Sequence, residues 1–277
     1  MNVIDSRTGS VFVTGASSGL GARVAEMLAA RGHRVAGAAR RVDQIASLAG
    51  VVPVPLDLAD EASIAAAVAK AEAECGPIGL LVNAAGFGEF GSLEETPLLR
   101  ARRQFEVNVF GLVALTQQIL GPMRVARRGR IVNVSSLAGE FSSPMGGWYH
   151  ASKFALEALS DTLRAEVRPF GIQVAVVQPG PVRTPWHQQA LASLQAVSGS
   201  GPYAKMARAI AEYHRANQDK AITSDIDDVA AVIVKAATAP RPKPRYRVGR
   251  GAGTAVALSR LPDRMFDAMA RRQLGIE

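Results

Sequence analysis

The chain of 277 residues has a single cysteine, Cys75. That excludes an internal disulfide and suits a reducing compartment, so a cytoplasmic location is expected. With one cysteine there is no zinc-type spacing, and no metal site is expected. Long apolar runs are missing too: none reaches the roughly eighteen residues that a membrane-spanning helix needs. The opening residues, MNVIDSRTGS, lack the apolar centre of a signal peptide, which predicts that the chain is not exported. There is no internal repeat and no low-complexity linker. The 48% hydrophobic and 20% charged residues are ordinary for one large α/β domain spanning 1–277.

Charge is unevenly spread. From Pro240 onward there are nine Lys or Arg against three acids, so this tail holds +6 of the net +8. The nearly neutral remainder, with no interleaved basic and aromatic residues, argues against a nucleic-acid partner.

What the chain does contain is a regular alternation. Strand-length apolar runs lie at 10–14, 34–38, 51–56, 79–83, 130–135 and 172–178, with a weaker one at 245–248. Helical patterns lie near 19–31, 43–49, 60–74, 97–126, 149–168 and 226–238. Strands apolar on both faces and separated by helices predict a doubly wound parallel sheet covered on both sides. The long, partly helical stretch 185–224 breaks this rhythm and reads as a lid.

The segment TGASSGLG, residues 14–21, follows the first strand and opens a helix. Gly15, Gly19 and Gly21 let the backbone turn tightly and approach a phosphate, while the helix presents unpaired N–H groups to the anion. At the end of the second strand, Ala38-Ala39-Arg40-Arg41 has no carboxylate to bond a ribose 2′-hydroxyl. Arg40 and Arg41 suit a 2′-phosphate, so NADP(H) is expected over NAD(H).

Tyr149 and Lys153 stand four apart and share a helix face. A nearby ammonium favours the phenolate, and lowering a tyrosine by about three units needs roughly 4 kcal/mol. Ser136 ends the strand RIVNVSS thirteen residues before Tyr149, where a hydroxyl can hold a carbonyl oxygen. Taken singly these signals are weak. Together with Asp57 in LDLAD, Asn83-Ala84-Ala85-Gly86, Asn108 in FEVNVFG, and Pro179-Gly180 followed by Thr184, they resemble the short-chain dehydrogenase/reductase family, in its single-domain oxidoreductase branch. The resemblance covers roughly residues 10–185, and Ala84 departs from it by replacing the family's usual second asparagine.

That resemblance implies a seven-stranded Rossmann fold and an enzyme that interconverts a ketone or aldehyde with an alcohol by hydride transfer. Tyr149 would move the proton, Lys153 would bind the nicotinamide ribose, Ser136 would orient the substrate oxygen, and Asn108 would hold a water of a proton relay. Cofactor contacts are expected from Gly15, Ser17, Ser18, Gly19, Leu20, Gly21, Arg40, Arg41, Asp57, Leu58, Asn83, Ala84, Gly86, Tyr149, Lys153, Pro179, Gly180, Val182 and Thr184. Asp57 by itself reads equally as a helix-starting acid. The family also implies a homodimer or homotetramer, paired through helices 97–126 and 149–168. Phe87, Phe90, Leu191, Leu194, Val197, Tyr203 and Met206 predict an apolar pocket for a small apolar substrate, similar to those of hydroxysteroid and retinol dehydrogenases. His187 reads as a lid residue.

Two other readings are weighed. One is a nucleotide-binding regulator without chemistry, against which the intact Ser-Tyr-Lys-Asn set argues. The other is a membrane-surface protein, for which the tail is the evidence. Leu258, Leu261, Met265, Phe266 and Met269 recur at helical spacing among arginines, and Pro262 shortens or starts that helix. Docking of the tail over the pocket or a second subunit is the expectation, in preference to contact with an anionic membrane.

Overall fold

The computed structural model describes residues 9–217, 220 and 223–276. Strands β1 (Ser10–Thr14), β2 (Val35–Ala39), β3 (Val51–Pro55), β4 (Ile78–Asn83), β5 (Gly129–Val134), β6 (Ile172–Pro179) and β7 (Arg245–Val248) form one parallel sheet in the order β3-β2-β1-β4-β5-β6-β7. Helices α1 (Gly19–Ala29), α2 (Val42–Ala46), α3 (Glu61–Cys75), α4 (Leu98–Phe105), α5 (Leu112–Val125) and α6 (Gly147–Val167) are followed by α7 (Trp186–Ser198), α8 (Ala204–Asn217), α9 (Ile226–Thr238), α10 (Ala252–Leu258) and α11 (Asp263–Leu274). This is a single-domain Rossmann fold. The strand order reverses direction between β1 and β4, and the carboxyl ends of the strands open a crevice there.

The sheet is sandwiched, and its two faces have separate cores. Val11 and Val13 point into one, with Val24 and Leu28 of α1 and Val229 and Ile233 of α9. Phe12 points into the other, with Ile64 and Val68 of α3 and Leu115 and Ile119 of α5. That split is the period-two alternation of a strand buried on both sides. Helix ends are satisfied by side chains both near and distant in sequence. Asp60 caps α3 by accepting a hydrogen bond from the Ala62 N–H at 2.9 Å, and the Arg130 guanidinium donates to the Ala236, Ala237 and Ala239 carbonyls at the end of α9.

The helical pattern at 97–126 is not one α-helix. Between α4 and α5, residues Glu106–Gly111 form a turn of π-helix that contains Asn108. Such widened turns cluster at functional sites because they re-aim a side chain without ending the helix.

The basic tail docks on the body. Ala252 and Val256 of α10 pack on Leu137 and Phe141, and the Phe266 ring stands 6.0 Å from that of Phe141. Leu274 and Ile276 lie against Ile210 and Met145, while Gln273 Nε2 donates to the Tyr213 hydroxyl at 2.6 Å. Helix α11 starts directly after Pro262, and Arg260, Arg264, Arg271 and Arg272 face outward. No helix among the described residues is long and apolar enough to cross a membrane.

Candidate active site

The crevice holds a cavity of about 800 Å³. Its floor begins at the glycine loop. Gly15 has φ +72°, and a Cβ there would come within 2.9 Å of Ala85 Cα. A Cβ on Gly21 would collide with the Gly15 carbonyl, so α1 closes on the strand only because none is present. Thr14 Oγ1 accepts from the Ala84 and Ala85 N–H groups, both at 3.0 Å, and ties the end of β1 to the end of β4.

The start of α1 has neither a side-chain cap nor an acid in its first turn. Gly19, Leu20 and Gly21 line the cavity, so the positive end of that helix faces it uncompensated. Arg40 and Arg41 line the cavity at the end of β2 and make no ion pair with any other described residue. Asp57, at the end of β3, accepts from the Ala59 N–H at 3.0 Å, whereas the helix that follows is capped by Asp60. A bare helix end, a backbone cradle and two unpaired guanidiniums fit a dinucleotide with phosphate on both its bridge and its ribose.

Across the cavity, β5 and α6 bring three side chains together. Ser136 and Tyr149 stand side by side, and the ammonium of Lys153 lies 5.9 Å from the centre of the Tyr149 ring. Lys153 donates to the Val134 carbonyl at 3.0 Å. Gly86 sits between this group and Asn108: a Cβ on it would be 3.2 Å from Asn108 Oδ1 and 3.8 Å from Lys153 Nζ.

Most of the residues expected at the site from the sequence line this one cavity: Gly15, Ser17, Ser18, Gly19, Leu20, Gly21, Arg40, Arg41, Asp57, Leu58, Ala84, Gly86, Ser136, Tyr149, Lys153, Pro179, Gly180, Val182 and Thr184. Seven do not reach it. Leu191, Leu194, Tyr203 and Met206, expected to wall the pocket, pack instead with Met145 and Ile210 in a separate apolar cluster, and Val197 lies against Gly91. Asn83 lies buried behind the strand ends, where its amide donates to Asn133 Oδ1 at 2.9 Å. Asn108 is also buried, with its amide fully engaged: Nδ2 donates to the Phe87 carbonyl and to Ser152 Oγ, and Oδ1 accepts from the Phe87 N–H. The side chain that the resemblance assigns to a water relay here clamps the Phe87 segment.

The electrostatics also differ from the expectation of a lowered tyrosine. Burial pushes the Tyr149 phenol up to about 12, against the pull of the Ser136 hydroxyl. Burial pushes Lys153 down to about 8, against the attraction of Glu157 one turn further along α6. A charge costs more than a neutral group away from water, and at this depth that cost outweighs the pairwise attraction. Near neutral pH the phenol therefore holds its proton and the lysine is still cationic.

Glu157 was not singled out in the sequence. Arg245 of β7 fixes it with two hydrogen bonds to Oε2, at 2.9 and 2.7 Å, and also reaches Asp161 at 3.0 Å. Its partner lies 88 residues away, so no local pattern reveals the pair. Other cavity residues missed are Phe141, Ser143, His150 and His214. His150 is committed structurally, its Nδ1 to the Ala138 and Phe141 carbonyls and its Nε2 to Ser143.

Comparison with known proteins decides the family. Residues 10–195 match the description "short chain dehydrogenase". The chain belongs to that family. It is 40% identical over 174 residues to a 3-ketodihydrosphingosine reductase of Bacteroides thetaiotaomicron, a match covering 63% of this chain and 64% of that protein. It is 36% identical over 203 residues to an NADPH-dependent 3-dehydrocapnine reductase of Ornithobacterium rhinotracheale, covering 69% of each. A short-chain dehydrogenase from Streptomyces avermitilis has the same fold with TM-score 0.75, 31% identity and 98% of each chain covered.

Glu157 supplies the negative charge nearest to Lys153, so its removal has a defined sign. In Glu157→Gln the lysine loses an anion that favours its charged form, and its midpoint should fall below about 8. NMR titration of protein carrying 13C-labelled lysine checks this, with Lys153→Met assigning the resonance. An unchanged midpoint would show that Glu157 acts only as a packing anchor for Arg245.

Proposed function

We propose that the protein is an NADP(H)-dependent oxidoreductase that interconverts a ketone or aldehyde with an alcohol on an apolar substrate. The observation that carries this is the meeting of Ser136, Tyr149 and Lys153 in one cavity with the glycine loop and the two arginines Arg40 and Arg41. The reductase names of the relatives support the same reading.

A bound nicotinamide supplies or accepts the hydride. The chain's own residues govern the proton. In reduction the Tyr149 phenol, protonated at neutral pH, donates its proton to the substrate oxygen. Ser136 holds that oxygen beside it by hydrogen bonding. Lys153 offsets the negative charge left on the phenolate, and in alcohol oxidation the same charge helps the phenol give up its proton. Asn108 keeps the Phe87 segment in place against this group. Phe90 and Trp186 lie tilted against the Tyr149 ring, with centroids 5.6 and 5.1 Å away, and help to keep water from the reacting atoms. Helices α7 and α8 cover the substrate end.

Exposed Leu98, Leu99, Phe110, Phe154 and Leu159 all lie on the adjoining α4–α6 region. We assign this face to a second copy of the chain, as a twofold contact. Light scattering at micromolar concentration should give at least a dimer, and Phe110→Asp should shift it towards monomer. A wild-type monomer would refute the assignment.

Tyr149→Phe keeps the ring and removes the proton. It should retain NADPH binding and lose turnover by about 10² to 10⁴. The check is nicotinamide absorbance over a panel of ketones and secondary alcohols; near-wild-type rates in the variant would overturn the proton assignment.

The ribose phosphate is assigned to the end of β2. Ala39→Asp combined with Arg40→Ala puts a carboxylate there and removes a guanidinium, so the kcat/KM ratio of NADPH to NADH should fall by at least about ten-fold. An unchanged ratio would mean that the phosphate is read elsewhere.

A further inference from the structure

We propose that His187 and His214 form a hydrogen-bonding subsite of the substrate chamber, selecting carbonyl or alcohol substrates that carry a second uncharged polar group, such as a hydroxyl or amide, along an otherwise apolar chain. The inference rests on the oxidoreductase reading above and adds the chemistry of the substrate's far end.

Four aromatic rings follow one another along the wall. The Trp186 ring lies tilted against Tyr149 at 5.1 Å, His187 follows Trp186 at 6.0 Å, and His214 meets His187 nearly edge-on at 5.5 Å. Both imidazoles line the same cavity as Tyr149. The wall is thus apolar beside the reacting group and becomes polar further out. A substrate long enough to leave Tyr149 and pass Trp186 meets two imidazoles.

Among the described residues their nitrogens have no hydrogen-bond partner. His150 shows what a structural histidine looks like in this molecule, with both of its nitrogens bonded to protein. No ring nitrogen of His187 or His214 makes a hydrogen bond within the described residues; their ring contacts are with Trp186, Tyr213 and each other. A neutral imidazole offers one donor and one acceptor, which matches a hydroxyl or an amide. Two half-buried imidazoles with spare hydrogen-bonding capacity are costly as lining for a wholly apolar ligand, because that ligand leaves them unpaired.

Charge supports the choice of an uncharged partner. Burial pushes both histidines down, His214 to about 4, where the neighbouring His187 adds to the effect. Neither ring is then cationic near neutral pH, so neither attracts a carboxylate or phosphate as a charge. The pair is held from behind, since Tyr213, beside His214, accepts the hydrogen bond from Gln273 of α11. The docked tail thereby reaches the proposed subsite.

The test compares ligands. 2-Decanone and a set of hydroxy-2-decanones, with the hydroxyl moved along the chain, are assayed with NADPH. For wild type, one hydroxyl position should raise kcat/KM over plain 2-decanone by about ten-fold, the worth of one well-placed hydrogen bond. His187→Phe and His214→Phe keep an aromatic ring and remove the nitrogens, and each should bring that ratio towards one. His214→Gln, which restores a donor and an acceptor, should recover part of it. The two histidines lie on different helices, so failure of one variant to fold leaves the other to decide. Ketone binding is followed in parallel by quenching of tryptophan fluorescence, since Trp186 lines the chamber. A protein that binds hydroxyketones preferentially but turns none over refutes the oxidoreductase reading and leaves the subsite standing. A wild-type ratio near one at every hydroxyl position, or a ratio unchanged in both Phe variants, overturns the subsite.

Discussion

Lys153 donates to the Val134 carbonyl at the bottom of the crevice, where burial works against its charge, and most of the site is arranged around keeping it there. Its stem lies on α6, so one turn of helix sets its distance from Tyr149 and the next turn supplies Glu157. Glu157 in turn needs Arg245, whose strand pairs with β6 at the sheet edge. A cation at the catalytic end of the sheet is therefore stabilised by a chain of charges that ends on the last strand. Such a network is expensive to break from either end, because loss of one partner strands the other away from water.

The same burial that weakens the lysine's charge also opposes ionisation of the tyrosine. A phenol held near 12 is a poor base and keeps a proton to give. The family's logic of a lysine that acidifies its tyrosine is present as geometry, with the ammonium close to the ring. In this chain, though, desolvation is the larger effect on both groups. The two midpoints are drawn apart rather than together, which leaves a protonated acid beside a cation through the neutral range.

Much of this was legible in the sequence because it is local or periodic. The strands are short, apolar and bounded by turn residues, so all seven were readable to within a residue or two. The glycine loop, the thirteen-residue step from Ser136 to Tyr149 and the four-residue step to Lys153 are spacings along the chain, and the fold brings them into one cavity. Features that depend on distant partners left no such trace. The π-turn at Glu106–Gly111 has the same apolar periodicity as an unbroken helix over so short a span, so 97–126 read as one element. Asn83 reads as a cavity residue from its motif, but its amide is drawn back to Asn133 on the neighbouring strand. Arg245 lies in a run that reads as a weak strand, but its pairing is decided by an acid 88 residues earlier.

The tail shows how composition can mislead about where a charge acts. Counted together, the residues after Pro240 look like one basic unit. In the fold they divide in two. Arg245 and Arg247 belong to the sheet edge and bond Glu157 and Glu140, whereas Arg260, Arg264, Arg271 and Arg272 stay on the outside of docked helices. Of the apolar residues of α11, Phe266 packs on Phe141 and Leu274 on the α8 cluster. The stripe that reads as a membrane-facing surface is only partly covered: Leu261, Phe266 and Met269 are half-buried, while Leu258 and Met265 stay exposed. A helix docked through so few apolar contacts sits at the low-stability end of the molecule. Its Phe266 ring rests on Phe141, which itself lines the cavity, so the docked tail backs one wall of the site.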